Sequence, residues 1–263
     1  MKLITCIKQV PASSEVSIDP DTGVLVRDGK NVKMNPYDLY ALEASFVIGE
    51  MSNNAHIHAI TMGPPSAQSV LREALHTGAD DATLMTDKRF AGADVWATSY
   101  TLAQMIKKIG SYDLVVCGKQ TTDGDTAQVG PEIAECLGIP HVPYVKEVLK
   151  VTDREITVKS GYDGYEEIVQ VKLPCLITIE KGTWVPRLPS YLRKKIFQSK
   201  TIASISLSAL EDNNPEHYGL FGSPTQVEAV FPPDRRQETK HFNGNGKLMA
   251  EVISEILKKH RFL

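Results

Sequence analysis

No apolar run in this chain approaches the ~20 residues needed to cross a bilayer. The opening Met1-Lys2-Leu3-Ile4-Thr5-Cys6-Ile7-Lys8 carries an early charge and no small-residue cleavage site, so no secretory signal is expected. Cysteine is scarce. Cys6, Cys117, Cys136 and Cys175 form no C-x-x-C pair and have no histidine at zinc-ligand spacing. A disulfide framework and a zinc module are therefore disfavoured, and the thiols read as small buried hydrophobes suited to a reducing compartment. A cytoplasmic location is the expectation. Basic excess is absent too: 29 Lys and Arg face 32 Asp and Glu, a formal charge of −3. Nucleic acid is thus not an expected partner, because binding phosphate chains needs a basic face.

The common catalytic and nucleotide fingerprints are missing. There is no G-x-G-x-x-G, no Walker loop and no G-x-S-x-G elbow, which disfavours a standard Rossmann dehydrogenase, a P-loop NTPase and an α/β hydrolase. His56 and His58 alternate along one expected strand without a third ligand, so no metal site is expected. No pair of carboxylates stands out as an acid/base couple. No catalytic residue is assigned.

What is present is an ordinary globular mixture, 42% apolar and 23% charged over 263 residues. That suffices for one large domain with an arm. Short apolar runs alternate with helical patterns. Leu3 to Val10 reads as a buried strand ended by Pro11, and Val16 to Val26 as a surface hairpin around Pro20-Asp21-Thr22-Gly23. Asn35-Pro36 opens a helix, with Asn35 as its cap and Asp38 at its positive end. Strands are expected at Ile57 to Met62, Ala82 to Met85 and Asp113 to Gly118. Helices are expected from Ser66 to His76, from Asp94 to Ile109 and through Ile133 and Leu137. This alternation specifies an α/β fold: a mostly parallel sheet with helices on both faces. Lys146 to Val151, Glu155 to Ser160 and Glu166 to Leu173 read as antiparallel edge strands, and Pro174 to Ile179 as one more buried strand. Past Lys181 the period fades, Glu211 to Lys240 lacks core-forming residues, and Leu248 to Leu257 makes a last amphipathic helix. The expected division is a domain over 1–200 and an extended C-terminal arm over 201–263.

Open parallel sheets bind ligands beyond the carboxyl ends of their strands. Four segments fall there: Cys6 to Pro11, Asn35 to Asp38, Met62-Gly63, and the loop Gly118-Lys119-Gln120-Thr121-Thr122-Asp123-Gly124-Asp125-Thr126-Ala127-Gln128-Val129-Gly130-Pro131. Small residues let a ligand approach that loop's backbone, and free amides at the next helix start attract phosphate. Thr122 and Thr126 can donate. Asp123 and Asp125 oppose phosphate and are better suited to capping the turn or to holding ribose hydroxyls. A turn-rich connection with no ligand is the competing reading.

At these residues the chain resembles the beta subunit of electron-transfer flavoproteins along nearly its whole length. Cys6-Ile7-Lys8-Gln9-Val10-Pro11 is similar to the family's first strand and turn. Met34-Asn35-Pro36-Tyr37-Asp38 resembles its M-N-P segment, Gly118-Lys119-Gln120 its nucleotide loop, and Asp163 to Thr178 its late-strand signature. The resemblance implies a fold of the adenine-nucleotide-binding α/β type and a heterodimer with an alpha subunit carrying the transferable FAD. It further implies that the beta subunit holds either a structural AMP or, in electron-bifurcating members, a second FAD. The run from Thr122 to Pro131 looks like the bifurcating version, which makes FAD the expected cofactor, NADH a possible donor and ferredoxin a partner. Cys6, Asn35, Pro36, Tyr37, Asp38, Met62, Gly118, Gln120, Thr122, Asp123, Gly124, Asp125, Thr126, Ala127, Gln128, Val129 and Gly130 would then line the nucleotide, with Tyr37 a candidate for stacking near a flavin ring. Trp184 to Lys195 falls where the family docks its dehydrogenase, of acyl-CoA or lactate type. Pro186, Arg187, Leu188 and Tyr191 are the docking candidates, Tyr191 standing where the family keeps a leucine. The arm and final helix resemble the family's wrap around the alpha subunit. Two readings of other kinds stay open: a non-redox, stress-type adenine-nucleotide-binding protein and an assembly scaffold with an empty cleft.

Overall fold

The computed structural model describes residues 1–12, 17–18, 25–26, 31–52, 54–182, 184–228 and 241–263, in two compact units, 1–228 and 229–263. The first unit opens with β1 (Lys2–Cys6), β2 (Gln9–Pro11), β3 (Ser17–Ile18), β4 (Leu25–Val26), β5 (Val32–Met34) and α1 (Pro36–Met51). Next come β6 (His56–Met62), α2 (Gln68–Thr77), β7 (Asp81–Met85), α3 (Val95–Ile109), β8 (Leu114–Gly118) and α4 (Val129–Leu137). It closes with β9 (His141–Val151), β10 (Glu155–Tyr162), β11 (Tyr165–Lys172), β12 (Cys175–Ile179), α5 (Tyr191–Phe197) and β13 (Ala203–Ile205). The second unit contains α6 (Gly246–Lys259).

Nine strands form one sheet in the order β11-β10-β9-β12-β8-β1-β6-β7-β13. Every neighbouring pair from β9 to β13 is parallel, while β10 and β11 add antiparallel pairs at one edge. The central strands are buried on both faces because helices cover both. Successive side chains of β1 enter opposite layers: Leu3 packs with Leu42 and Phe46 of α1 and Leu71 of α2, whereas Ile4 packs with Met105 and Ile106 of α3 and Ile133 of α4. Helix α3 starts on Asp94, whose carboxylate accepts the Ala97 amide at 3.0 Å, and stops at Gly110 in a conformation with φ 101°.

The winding positions the site. The chain proceeds from β1 outward to β6 and β7, then crosses back past β1 to β8. Strand order reverses between β1 and β8, so the loops leaving their carboxyl ends diverge and open a crevice.

Several elements differ from the sequence expectation. Leu3 to Val10 is not one strand. The chain leaves the sheet after Cys6, and Gln9–Pro11 pairs instead with Val32–Met34 in a separate two-stranded ribbon. The break falls at Lys8, whose amide is taken by the Asp38 carboxylate at 2.7 Å. The hairpin expected over Val16 to Val26 has its arms in β3 and β4, while its turn, 19–24, lies outside the described residues. Strand β9 begins earlier than expected, at His141, and runs parallel to β12 before continuing into the antiparallel β10 pairing. Helix α5 and strand β13 had no periodic signal. The first buries none of its residues, and the second is only three residues held on β7. Helix α6 follows the expected amphipathic stretch and buries none of its residues. Among the described residues no helix is long and apolar enough to cross a membrane, and no cluster of metal-ligating side chains occurs.

Candidate functional site

The crevice is built where β1, α1 and β8 end or begin together. Asn35 precedes α1 and is fully buried. Its side chain does not cap the helix, contrary to expectation. Its Nδ2 donates to the Gln120 carbonyl at 2.9 Å, and its Oδ1 accepts the Thr122 amide at 3.3 Å. One side chain thus clamps the loop leaving β8 from both directions, while the Asn35 amide bonds the Lys8 carbonyl at 2.9 Å. Pro36 fills the first helical turn without needing a donor, and Asp38 lies one turn further, 4% exposed.

Asp38 holds the end of β1 through the Lys8 amide and faces Gly118. Burial pushes its carboxyl up to about 7, against the downward pull of Asn35, the Lys8 amide and charge, and the Gly118 amide. Gly118 is required by this packing. A Cβ there would collide with the Asp38 carboxylate and lie 2.8 Å from the Tyr37 carbonyl carbon and 2.9 Å from the Tyr37 Cβ. Cys6 and Cys117 sit opposite one another on β1 and β8, both buried. A hydrogen bond with the free Cys6 thiol, together with burial, raises Cys117 well above the usual thiol range.

The loop 119–128 follows. Lys119 bonds the Ile179 carbonyl through its amide and Glu180 through Nζ at 2.7 Å, and its ammonium lies 4.8 Å from the Tyr144 ring centre. Lys8 donates to both oxygens of Asp123 at 2.8 Å, tying the loop back to β1. Gln120 Nε2 donates to Asp125. The left-handed backbone positions are Asp125 (φ 54°) and Ala127 (φ 55°), so the sharp turns fall on these residues and not on Gly124. Gly130 lets α4 approach β12: a Cβ there would come 2.5 Å from the Thr178 methyl. Helix α4 has no side-chain cap at Gln128, so its start brings the Val129 and Gly130 amides uncapped to the loop, whereas α1 opens on Pro36, which has no amide hydrogen, and its Asp38 amide bonds the Asn35 carbonyl at 2.9 Å. Uncapped amides with paired carboxylates beside them suit a phosphate-bearing ligand.

The sequence-expected residues therefore divide into two places. Cys6, Asn35, Pro36, Tyr37, Asp38 and the loop from Gly118 through Gln120, Thr122, Asp123, Gly124, Asp125, Thr126, Ala127, Gln128, Val129 and Gly130 converge on the β1–β8 crevice, and Met62 ends the adjoining strand β6. Pro186, Arg187, Leu188 and Tyr191 lie instead along α1 and α2. Arg187 meets Glu43 at 2.8 Å, the Ser190 amide bonds the His76 carbonyl at 2.9 Å, and Arg193 bonds the Leu75 carbonyl at 2.9 Å. Lys8 and Lys119 lie in segments expected to face a ligand, but the sequence assigns them no role of their own, and Tyr144 is not expected at all. Tyr144 holds φ 56° with its amide on Thr178 Oγ1 at 3.0 Å, and no sequence signal marks it.

A family model, the electron transfer flavoprotein domain, matches residues 22–210. The chain belongs to the electron transfer flavoprotein family, as a beta subunit. The chain is 44% identical to the electron transfer flavoprotein subunit beta of Clostridium acetobutylicum, over 97% of this chain and 94% of that one. It is 41% identical to the caffeyl-CoA reductase-Etf complex subunit CarD of Acetobacterium woodii, over 99% of both chains. It is also 41% identical to protein FixA of Azorhizobium caulinodans, over 90% of this chain and 86% of that one. Family membership gives this beta subunit a partner-dependent role in electron transfer.

Proposed function

We propose that this beta subunit holds FAD, with its adenine nucleotide in the β1–β8 crevice, and with an alpha subunit passes electrons between NADH, ferredoxin and a flavin-dependent dehydrogenase. The observation carrying the proposal is the convergence of Asn35, Asp38, Gly118 and the loop to Gly130 at the switch point between β1 and β8. The chain's own residues have distinct tasks. The uncapped amides at the α4 start receive phosphate, and the Thr122 and Thr126 hydroxyls donate to it. Asn35 fixes the loop's register. Tyr37, half-buried at the start of α1 with its backbone and Cβ close to Gly118, is the aromatic residue proposed to stack on the ligand. When bound, flavin supplies the exchange of electrons singly or in pairs, and the protein supplies position and electrostatics.

The segment from Val185 to Ile196 suits the dehydrogenase. Val185 is 89% exposed, Leu188 86% and Tyr191 73%, and Leu192 and Ile196 are exposed beside them. Apolar groups gathered this way mark a docking surface. Its backbone is anchored by Arg187 and Arg193, so the surface is held ready. The wholly unburied α6, with Leu248, Ile253 and Ile256 exposed, supports the alpha subunit as a second partner. The Acetobacterium woodii relative is named as a subunit of a caffeyl-CoA reductase-Etf complex, which supports a partner acting on a CoA ester here. Purifying the heterodimer and counting its nucleotides tests the proposal. Two FAD per dimer are expected. One FAD with one AMP overturns the bifurcating reading and leaves a simpler carrier, and no adenine nucleotide on this subunit overturns the whole.

A further inference from the structure

The crevice loop carries two carboxylates, Asp123 and Asp125, where a phosphate ligand needs positive potential. This conflict has a structural resolution. Lys8, just beyond the end of β1, places its ammonium 2.8 Å from both Asp123 oxygens, and Gln120 Nε2 serves Asp125. The Lys8–Asp123 pair spans 115 residues of sequence and joins the two sides of the switch point. The Asp123 side chain is 23% exposed and that of Lys8 45% exposed, so the pair is partly shielded from water. We infer that Lys8 is a positioning residue of the nucleotide crevice, which neutralises Asp123 so that the loop accepts a phosphorylated ligand. The inference rests on the adenine-nucleotide reading and adds a residue outside the expected nucleotide-lining set.

A neutralising role and a merely mechanical one make different demands. As a strut, the pair would hold the loop's shape, and its loss would weaken every ligand of the crevice alike. As a neutraliser, Lys8 matters in proportion to ligand charge. Removing it alone exposes the Asp123 carboxylate to phosphate, and removing Asp123 as well cancels the repulsion. Asp38 faces the same lysine, but it accepts the Lys8 backbone amide, which any side chain at position 8 preserves.

The test uses the full chain freed of nucleotide on charcoal, with adenosine, AMP and ADP as probes in equilibrium dialysis. Wild type is expected to bind ADP. Lys8→Met should weaken ADP by roughly 5-fold and adenosine by less than about 2-fold, the scale of a partly exposed ion pair. Lys8→Arg, which keeps the charge, should bind ADP like wild type. Lys8→Met/Asp123→Asn should recover most of the ADP affinity lost in Lys8→Met. Equal losses for adenosine and ADP, or no recovery in the double variant, overturn the inference while leaving the nucleotide site standing. A wild-type chain that binds none of the three probes overturns the functional reading beneath it. Urea midpoints within error of wild type separate these outcomes from unfolding.

Discussion

Replacing Arg187 by methionine should loosen the proposed docking segment on α1. The Arg187 backbone amide donates to Glu43 Oε2 at 2.9 Å, Nε reaches both Glu43 oxygens at 3.0 and 3.1 Å, and Nη2 reaches Oε1 at 2.8 Å. The guanidinium carbon also lies 4.6 Å from the Phe46 ring centre. The Glu43 side chain is 9% exposed, against 40% for Arg187. The variant therefore leaves a carboxylate on the inner part of α1 with one backbone donor. Stranding a buried ion costs about 3–5 kcal/mol, and the partial exposure of Arg187 lowers this to roughly 2–3 kcal/mol. Urea denaturation of the full chain measures it as a lower midpoint at unchanged slope. Arg187→Met/Glu43→Leu should regain much of the loss, since an apolar pair needs no solvation. Affinity for the dehydrogenase should fall in Arg187→Met while nucleotide content stays constant, because the segment lies apart from the crevice. A loss under about 0.5 kcal/mol, or loss of nucleotide with partner affinity intact, would refute the reasoning.

Other substitutions probe the crevice and its supports. Gly118→Ala forces a methyl against Asp38 and Tyr37, so it should cost about 1–3 kcal/mol and release bound nucleotide, read by denaturation and by absorbance of the released fraction. Asp38 makes stability pH-dependent. Its carboxyl lies near 7 when folded against 3.8 ordinarily, so the folded state keeps a proton that the unfolded chain gives up. Stability should therefore fall as pH rises from about 4 to 7 and level off above, by a few kcal/mol at most, and Asp38→Asn should flatten that slope in urea midpoints taken across the range. Asp94→Ala removes the α3 cap and the bonds from the Thr225 amide and hydroxyl. It should cost about 1–2 kcal/mol and raise amide exchange over 219–228, an effect absent if the cap alone matters.

The central strands β1, β8 and β12 were legible because each is a short apolar run rich in β-branched residues and buried on both faces, and the helix starts because Asn35-Pro36 and Asp94 are strong local signals. The placing of four segments beyond the carboxyl ends of the strands followed from the alternation of strands and helices; the strand order that makes the β1–β8 switch point did not. What local signals could not carry was the use made of side chains over distance. Asn35 reads as a cap, yet its amide serves a loop 85 residues away. Lys8 falls inside the run read as one buried strand, Leu3 to Val10, yet it lies past the strand's end and its partner lies across the crevice. Helix α5 follows Pro186 and Pro189 and buries nothing, so periodicity is silent. It is held instead by the Ser190 cap and by Arg193 reaching carbonyls of Leu75 and Ala79. The left-handed turns of the loop fall on Asp125 and Ala127, which carry no local signal for that geometry; the loop is clamped at Gln120, Thr122 and Asp123.

A crystal structure of the assembled heterodimer tests the central claim most directly. Density for an adenine nucleotide between the ends of β1 and β8, with its phosphates against the amides opening α4 and its ring system beside Tyr37, is the expected result. A crevice filled by the chain's own side chains, or a nucleotide held elsewhere on this subunit, would contradict it.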